Sequence, residues 1–192
     1  MTTRTLTLDE FLELPETEPP SEFIRGEVIQ KVAPSPMHAF VVAKVVSRLE
    51  RYLNESKEAV VFTEARHVNR DDDRVFLPDI NVTLGSRLPL GSDAWRRAFE
   101  MTPDFAIEVL SPDDRPGRVL DRISFFLETG VRLIWFVDPD DETVTVYRLD
   151  EPPGTYRPPD VISASPVLSG FRLDLGEIFG ALRLQVEGPP EG

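Results

Sequence analysis

The hydrophobic pattern alternates between helical and extended segments along the whole chain. Thr7-Leu-Asp-Glu10 has the form of a capping box and predicts a short helix ending before Pro15. A Pro/Glu loop runs to Pro20, and Glu22 to Val32 predicts a hairpin turning near Gly26. Ser35-Pro36 supplies an N-cap and a proline for the first helical position. Val42, Val45, Val46, Leu49 and Leu53 then mark one face of a helix to about Asn54. Ala59 to Val68 and Val75 to Leu84 predict two strands, with the aspartate-rich stretch Asn69 to Arg74 as the turn between them. Residues 85–102 form an irregular insertion with room for a short helix at Asp93 to Phe99. Asp104 to Leu110 is a compact apolar run and predicts a buried central strand. Asp114 and Pro116 open a second long helix, with Val119, Leu120, Ile123, Phe126 and Leu127 facing the core and Gly130 ending it. Val131 to Val137 predicts another buried strand, which pairs with Thr143 to Leu149 across a turn at Pro139 to Asp141. Residues 150–160 are proline-rich and predict a loop, Gly170 to Leu175 predicts an edge strand, and the tail after about Val186 is expected to be disordered. The reading is a single domain over residues 1–186 with a flexible tail at 187–192. Its fold class is α/β (α+β), with a mixed sheet flanked by helices and an N-terminal helix and hairpin.

Composition narrows the chemistry. At 192 residues the chain can bury a core without a staple. It has no cysteine, which excludes disulfides, thiol nucleophiles and thiolate-ligated metals. Its two histidines, His38 and His67, leave little room for a histidine-rich metal site. No apolar run approaches the roughly 18 residues of a membrane span, and the N-terminal segment is acidic without an apolar region, so a cytoplasmic location is expected. The net charge of −13 repels a phosphate backbone on average. Only Lys31, Lys44 and Lys57 are lysines, so no lysine follows position 57.

Two acids stand out by position. Asp79 sits between apolar residues in Phe76-Leu-Pro-Asp-Ile-Asn-Val82, and Glu108 sits in the run Pro103 to Leu110. Acids are rarely buried unless paired or bound to a metal. If their strands pair, the two carboxylates can converge at one end of the sheet. With a backbone carbonyl they would make a hard-oxygen site for Mg²⁺ or Mn²⁺. For either acid alone, a solvated strand end is the simpler reading. Arg115, Arg118 and Arg122 fall on one stripe of the second helix, one short loop after Glu108. The stripe is either a phosphate-contacting surface or a solvated flank. Asp71, Asp72 and Asp73 read as a solvated turn. His38 reads as a surface or packing residue, Glu22 and Glu27 as exposed residues flanking the hairpin turn, Trp135 as core and His67 as a strand residue.

One ordered series of segments goes further. It comprises Thr7-Leu-Asp-Glu-Phe-Leu12, Glu22-Phe-Ile-Arg-Gly-Glu27, Ser35-Pro-Met-His38, Pro78-Asp79, Pro103-Asp-Phe-Ala-Ile-Glu-Val-Leu-Ser-Pro112 and Gly130-Val-Arg-Leu-Ile-Trp-Phe-Val-Asp-Pro139. It resembles the Uma-type restriction endonuclease family of the PD-(D/E)xK nuclease superfamily over roughly residues 5–180. The resemblance implies a restriction-endonuclease-like core. It implies that Asp79 and Glu108, helped by the Val109 carbonyl, hold Mg²⁺ (or Mn²⁺). It also implies that water attacks phosphorus with the help of a lysine. Here the chain departs from the pattern. The usual lysine position two residues after the glutamate is Leu110, and the helix position where this family carries its lysine is Arg122. Phe126 stands where a tyrosine is common, and Ser21 where an aromatic residue is common.

The resemblance therefore leaves two readings. One is a Mg²⁺-dependent endodeoxyribonuclease with Asp79, Glu108 and Arg122 as catalytic residues, Arg115 and Arg118 on DNA, and activity weakened by the lost lysine. On that reading, Arg122→Lys is expected to speed cleavage. The other is a catalytically inactive nuclease-fold binding or interaction module. A two-carboxylate glycosidase is a third reading, with no sugar cleft to suggest it. DNA binding is expected to be weak and metal-dependent. A homodimer is expected, formed through the proline-rich hairpin or an exposed apolar edge.

Overall fold

The computed structural model describes residues 5–89, 93–112 and 114–186; the expected tail at 187–192 lies outside them. In chain order the elements are α1 (Leu8–Leu12), β1 (Ser21–Ile24), β2 (Glu27–Gln30), α2 (Pro36–Ser56), β3 (Ala59–Thr63), β4 (His67–Asn69), β5 (Arg74–Phe76) and β6 (Ile80–Leu84). A 3₁₀ turn at Asp93–Arg96 follows, then β7 (Phe105–Val109), α3 (Pro116–Glu128), β8 (Leu133–Asp138), β9 (Thr143–Arg148), β10 (Gly154–Tyr156), β11 (Val161–Ser163), β12 (Arg172–Asp174) and α4 (Leu175–Val186). The main sheet has six strands in the order β10-β9-β8-β7-β6-β3. Its one parallel pair is β7 with β8, connected through α3. A four-stranded antiparallel sheet, β2-β1-β5-β4, lies beside it, and β11 and β12 form a separate pair.

Local signals set the helix ends. The Thr7–Glu10 capping box opens α1. Ser35 caps α2 by accepting from the His38 N–H, and Lys57 closes that helix at φ 56°. Gly130 follows α3 at φ +80°, where a side chain is rarely tolerated. The hairpin turn puts both Arg25 and Gly26 at positive φ, the pairing a two-residue turn needs to match strand twist. Arg25 is further fixed by Asp72.

Strand alternation divides the core. Phe105, Ile107, Val109, Leu133, Trp135 and Val137 face α2 and α4. Ala106, Ile134 and Phe136 face Ile123, Phe125 and Phe126 of α3. Because β7 is covered on both faces, it reads as an unbroken apolar run except at Glu108. A third cluster packs Leu8 and Phe11 of α1 on Phe23, Val68 and Val75 of the smaller sheet.

The structure corrects several expectations. The long strand expected at Ala59 to Val68 breaks at Glu64, which adopts φ 50°. The strand expected at Val75 to Leu84 breaks at Leu77-Pro78-Asp79, where proline cannot donate to a ladder. Each long strand is thus two short ones in different sheets, and the breaks face each other through a 3.1 Å bond from the Glu64 N–H to the Pro78 carbonyl. Leu120 is exposed rather than in the core. The loop at 150–160 contains β10, and the edge strand near Gly170 pairs with β11 alone. Helix α4 was not expected; Gly176 and Gly180 disguise a face formed by Leu175, Ile178, Phe179 and Leu182. Among the described residues no helix is long and apolar enough to cross a membrane.

Candidate active site

The split of the second strand creates the site. Asp79 lies immediately before β6, and the register Ile80 to Ile107, extended by one step, sets it opposite Glu108 on β7. Both acids are on the α3 face of the sheet, since Ile80 and Ile107 point to the other core. Both are buried. Asp79 Oδ2 accepts from the Val109 N–H at 2.9 Å and bonds His38 Nε2 at 3.1 Å. Its Oδ1 accepts from Lys31 Nζ at 2.9 Å. Val109, which the resemblance brought in through its carbonyl, thus contributes its amide to holding Asp79.

Glu108 is held differently. Arg122 donates from Nη1 to Glu108 Oε2 at 2.9 Å and from Nη2 to Glu22 Oε2 at 3.1 Å. Glu22 Oε1 in turn accepts from the Leu77 N–H at 3.0 Å, so it ties β1 to the segment carrying Asp79. Glu108 Oε1 is buried with no hydrogen-bond partner among the described residues. These groups line one cleft of about 380 Å³ between the hairpin, β6–β7 and α3, with Arg115 and Arg118 also on its wall. Both of those arginines are exposed.

The electrostatics follow from burial. Burial works against the Asp79 carboxylate, but the His38 hydrogen bond and the Lys31 charge outweigh it and hold Asp79 well below the usual carboxylate range. For Glu108, burial dominates: it pushes the carboxyl up to about 8, with Arg122 opposing and Asp79 adding to the rise. Burial disfavours both cations too. The charges of Asp79 and Glu108 nevertheless hold Lys31 well above its usual range, and Glu108 and Glu22 do the same for Arg122. Three buried carboxyl groups (Glu22, Asp79, Glu108) thus face two cations (Lys31, Arg122), and the burial that holds the proton on Glu108 leaves the site near charge balance until that proton is displaced.

Among the described residues, no group of three or more His, Asp or Glu side chains is gathered as a ready metal cage. The donors still fit a hard divalent cation. Asp79 and Glu108 are adjacent oxygen donors, and Glu108 Oε1 is a buried acceptor in want of a partner.

Three residues at the centre were not singled out from the sequence. Glu22, taken as exposed, is buried, and only Glu27 of that pair is exposed. His38, taken as a surface or packing residue, is on Asp79. Lys31 lies just beyond β2, held in the hairpin by its N–H to the Pro20 carbonyl at 2.9 Å. A signal for Lys31 existed: strand alternation puts it on the same face as Ile29, the half-buried side of β2.

A mixed sheet with a carboxylate pair beside its crossover helix is the architecture of a nuclease-like α/β protein. Residues 8–176 match the Uma2 family, described as putative restriction endonucleases, and the chain belongs to that family. It is similar to a solved protein from Anabaena variabilis described as a putative nuclease belonging to DUF820. The two are 34% identical, with 92% of this chain and 99% of that chain covered and a TM-score of 0.82. The cryoEM structure of a DrdV–DNA complex aligns with 78% of this chain and 14% of that one, at 15% identity and a TM-score of 0.31, too low to bear on the fold. No curated protein matches the chain.

Proposed function

We propose that this chain is a divalent-metal-dependent endonuclease that hydrolyses DNA phosphodiester bonds in the cleft between the hairpin and the main sheet. The observation that carries the reading is the placement of Asp79 and Glu108: two buried acids, one just before β6 and one on β7, opposite each other on one face. Asp79 and Glu108, with the Val109 carbonyl, would hold Mg²⁺ or Mn²⁺. The ion would neutralise the phosphodiester and activate the attacking water. His38 and the Val109 amide orient Asp79, and Arg122 orients Glu108. Arg115 and Arg118, at the cleft wall, are suited to the flanking backbone phosphates. The acidic chain needs this local positive charge and the ion to approach DNA at all.

The test is calorimetric titration with Mn²⁺ beside a plasmid-nicking time course in Mg²⁺ and in Mn²⁺, using wild type, Asp79→Ala and Glu108→Ala. Wild type is expected to bind and nick, and both variants to lose the two properties together. Equal metal binding by all three proteins would remove the basis of the reading. Metal-dependent DNA binding without nicking would favour the inactive module instead, a reading motivated by arginine at position 122.

A further inference from the structure

We propose that Lys31, from the hairpin, is the ammonium this cleft presents to a phosphodiester, in place of the lysine that α3 lacks. The proposal rests on the nuclease reading above. It starts from the scarcity of lysine. Of the three in the chain, Lys44 sits on α2 over the Phe40 ring and Lys57 caps the end of α2; Lys31 alone lines the cleft.

Arg122 is poorly placed to take the part. Its two terminal nitrogens are each committed to a buried acid, Glu108 and Glu22. The two acids fix the plane of the guanidinium, so its remaining N–H groups point only where that plane dictates, and swinging the group toward a substrate would leave a buried carboxylate bare. Lys31 is built for the part in the opposite sense. Its backbone is pinned to Pro20, and its side chain is largely buried. Its Nζ is shared among the Leu77 carbonyl at 3.0 Å, Asp79 Oδ1 at 2.9 Å and Glu64 Oε1 at 3.3 Å. The Glu64 carboxylate is half exposed, so that contact is weak and easily exchanged. A lysine ammonium has three rotatable donors and can keep Asp79 while giving one to a phosphate oxygen.

Lys31 keeps its proton throughout. It donates a hydrogen bond to a non-bridging phosphate oxygen while the water oxygen bonds to phosphorus and one P–O ester bond breaks. One proton of the water ends on the released alcohol, and the other passes from the new phosphomonoester to solvent. Because Lys31 shares Asp79 with any bound cation, it also opposes metal binding. That gives a readout independent of turnover.

The experiment compares wild type, Lys31→Met and Lys31→Arg by Mn²⁺ calorimetry, thermal melting and plasmid nicking at saturating Mn²⁺. Lys31→Met is expected to bind Mn²⁺ about tenfold more tightly, since a like charge beside the site is gone. It is expected to nick about 100-fold more slowly. Lys31→Arg is expected to keep the melting temperature but to lose about tenfold in rate, because a planar fork fits an ammonium site imperfectly. If Lys31→Met nicks within threefold of wild type, or its Mn²⁺ affinity is unchanged or weaker, the assignment is overturned while the nuclease reading stands. If wild type itself nicks neither DNA nor RNA, the nuclease reading falls and this role with it. Should Lys31→Met not fold, Lys31→Arg decides: a wild-type rate overturns the assignment, and a slowed one upholds it.

Discussion

Arg122 spans two buried carboxylates with one guanidinium, and that changes what its substitution should do. From the family pattern alone, Arg122→Lys restores a lysine and should speed cleavage. In the structure the same change replaces a planar fork, whose two separate nitrogens each meet one acid, by a shorter side chain ending in one nitrogen that cannot match both positions. Arg122→Lys is therefore expected to destabilise the protein by on the order of 2 kcal/mol, with no gain in nicking; chemical denaturation and a time course check the two parts. A rise in rate without loss of stability would restore the simpler view. Glu108 gives a second expectation, for the metal-free protein. Burial raises its folded pKa from an ordinary 4.5 to about 8, against Arg122 and Lys31 and with the support of Asp79 and Glu22. The folded state thus holds a proton that the unfolded chain has released. The stability from that proton is full below pH 4.5 and is lost as pH rises through about 8. Wild type should lose melting temperature between pH 6 and 9 relative to Glu108→Gln, and a constant difference between them would mean that Glu108 is ionised throughout. Asp79 and Glu108 could be picked out in the sequence because an acid in an apolar strand is costly and so conspicuous. Glu22 and His38 could not, because nothing in a hairpin or a helix start says which sheet it will face, and Lys31 had only its alternation with Ile29 to mark it.

Helix α3 and the hairpin form the two walls of the cleft, and each wall carries its own expectation. Arg115 and Arg118 stand at the exposed mouth on the α3 side, whereas Arg51 is exposed on α2, across the main sheet from α3. Arg118→Glu should weaken Mn²⁺-dependent DNA binding and flatten its salt dependence, while Arg51→Glu should leave both unchanged. Fluorescence anisotropy across a salt series measures this, and equal effects at the two positions would place the contact surface elsewhere. At this scale the sequence was informative where a local rule decides. Capping predicted the starts of α1 and α2, and the apolar runs predicted β7 and β8. It was silent where only the assembled fold decides. An apolar alternation from Val75 to Leu84 looks the same whether it lies in one sheet or passes from one to another. Pro78 was the visible hint, and the passage it forces is what delivers Asp79 to Glu108.

The molecule as a whole combines a net charge of −13 with a site whose groups are spread from Glu22 to Arg122. The groups that meet there come from the hairpin, α2, the segment before β6, β7 and α3, and the bridge from Arg122 to Glu22 closes over 100 positions. Contacts of such separation cost loop entropy before they return any stabilisation, and they form late when a chain folds. After dilution from denaturant, the helical signal of α2 should return before Mn²⁺ binding does, and stopped-flow circular dichroism alongside a metal titration of the refolding mixture would order the two. Simultaneous recovery would mean that the cleft forms with the first structure. On the nuclease reading, the long bridge would work as a safety catch on the protein's own synthesis: a chain still emerging from the ribosome would hold the two acids without the arginine that squares them to each other, and would have no cutting edge until position 122 had been made and folded into place.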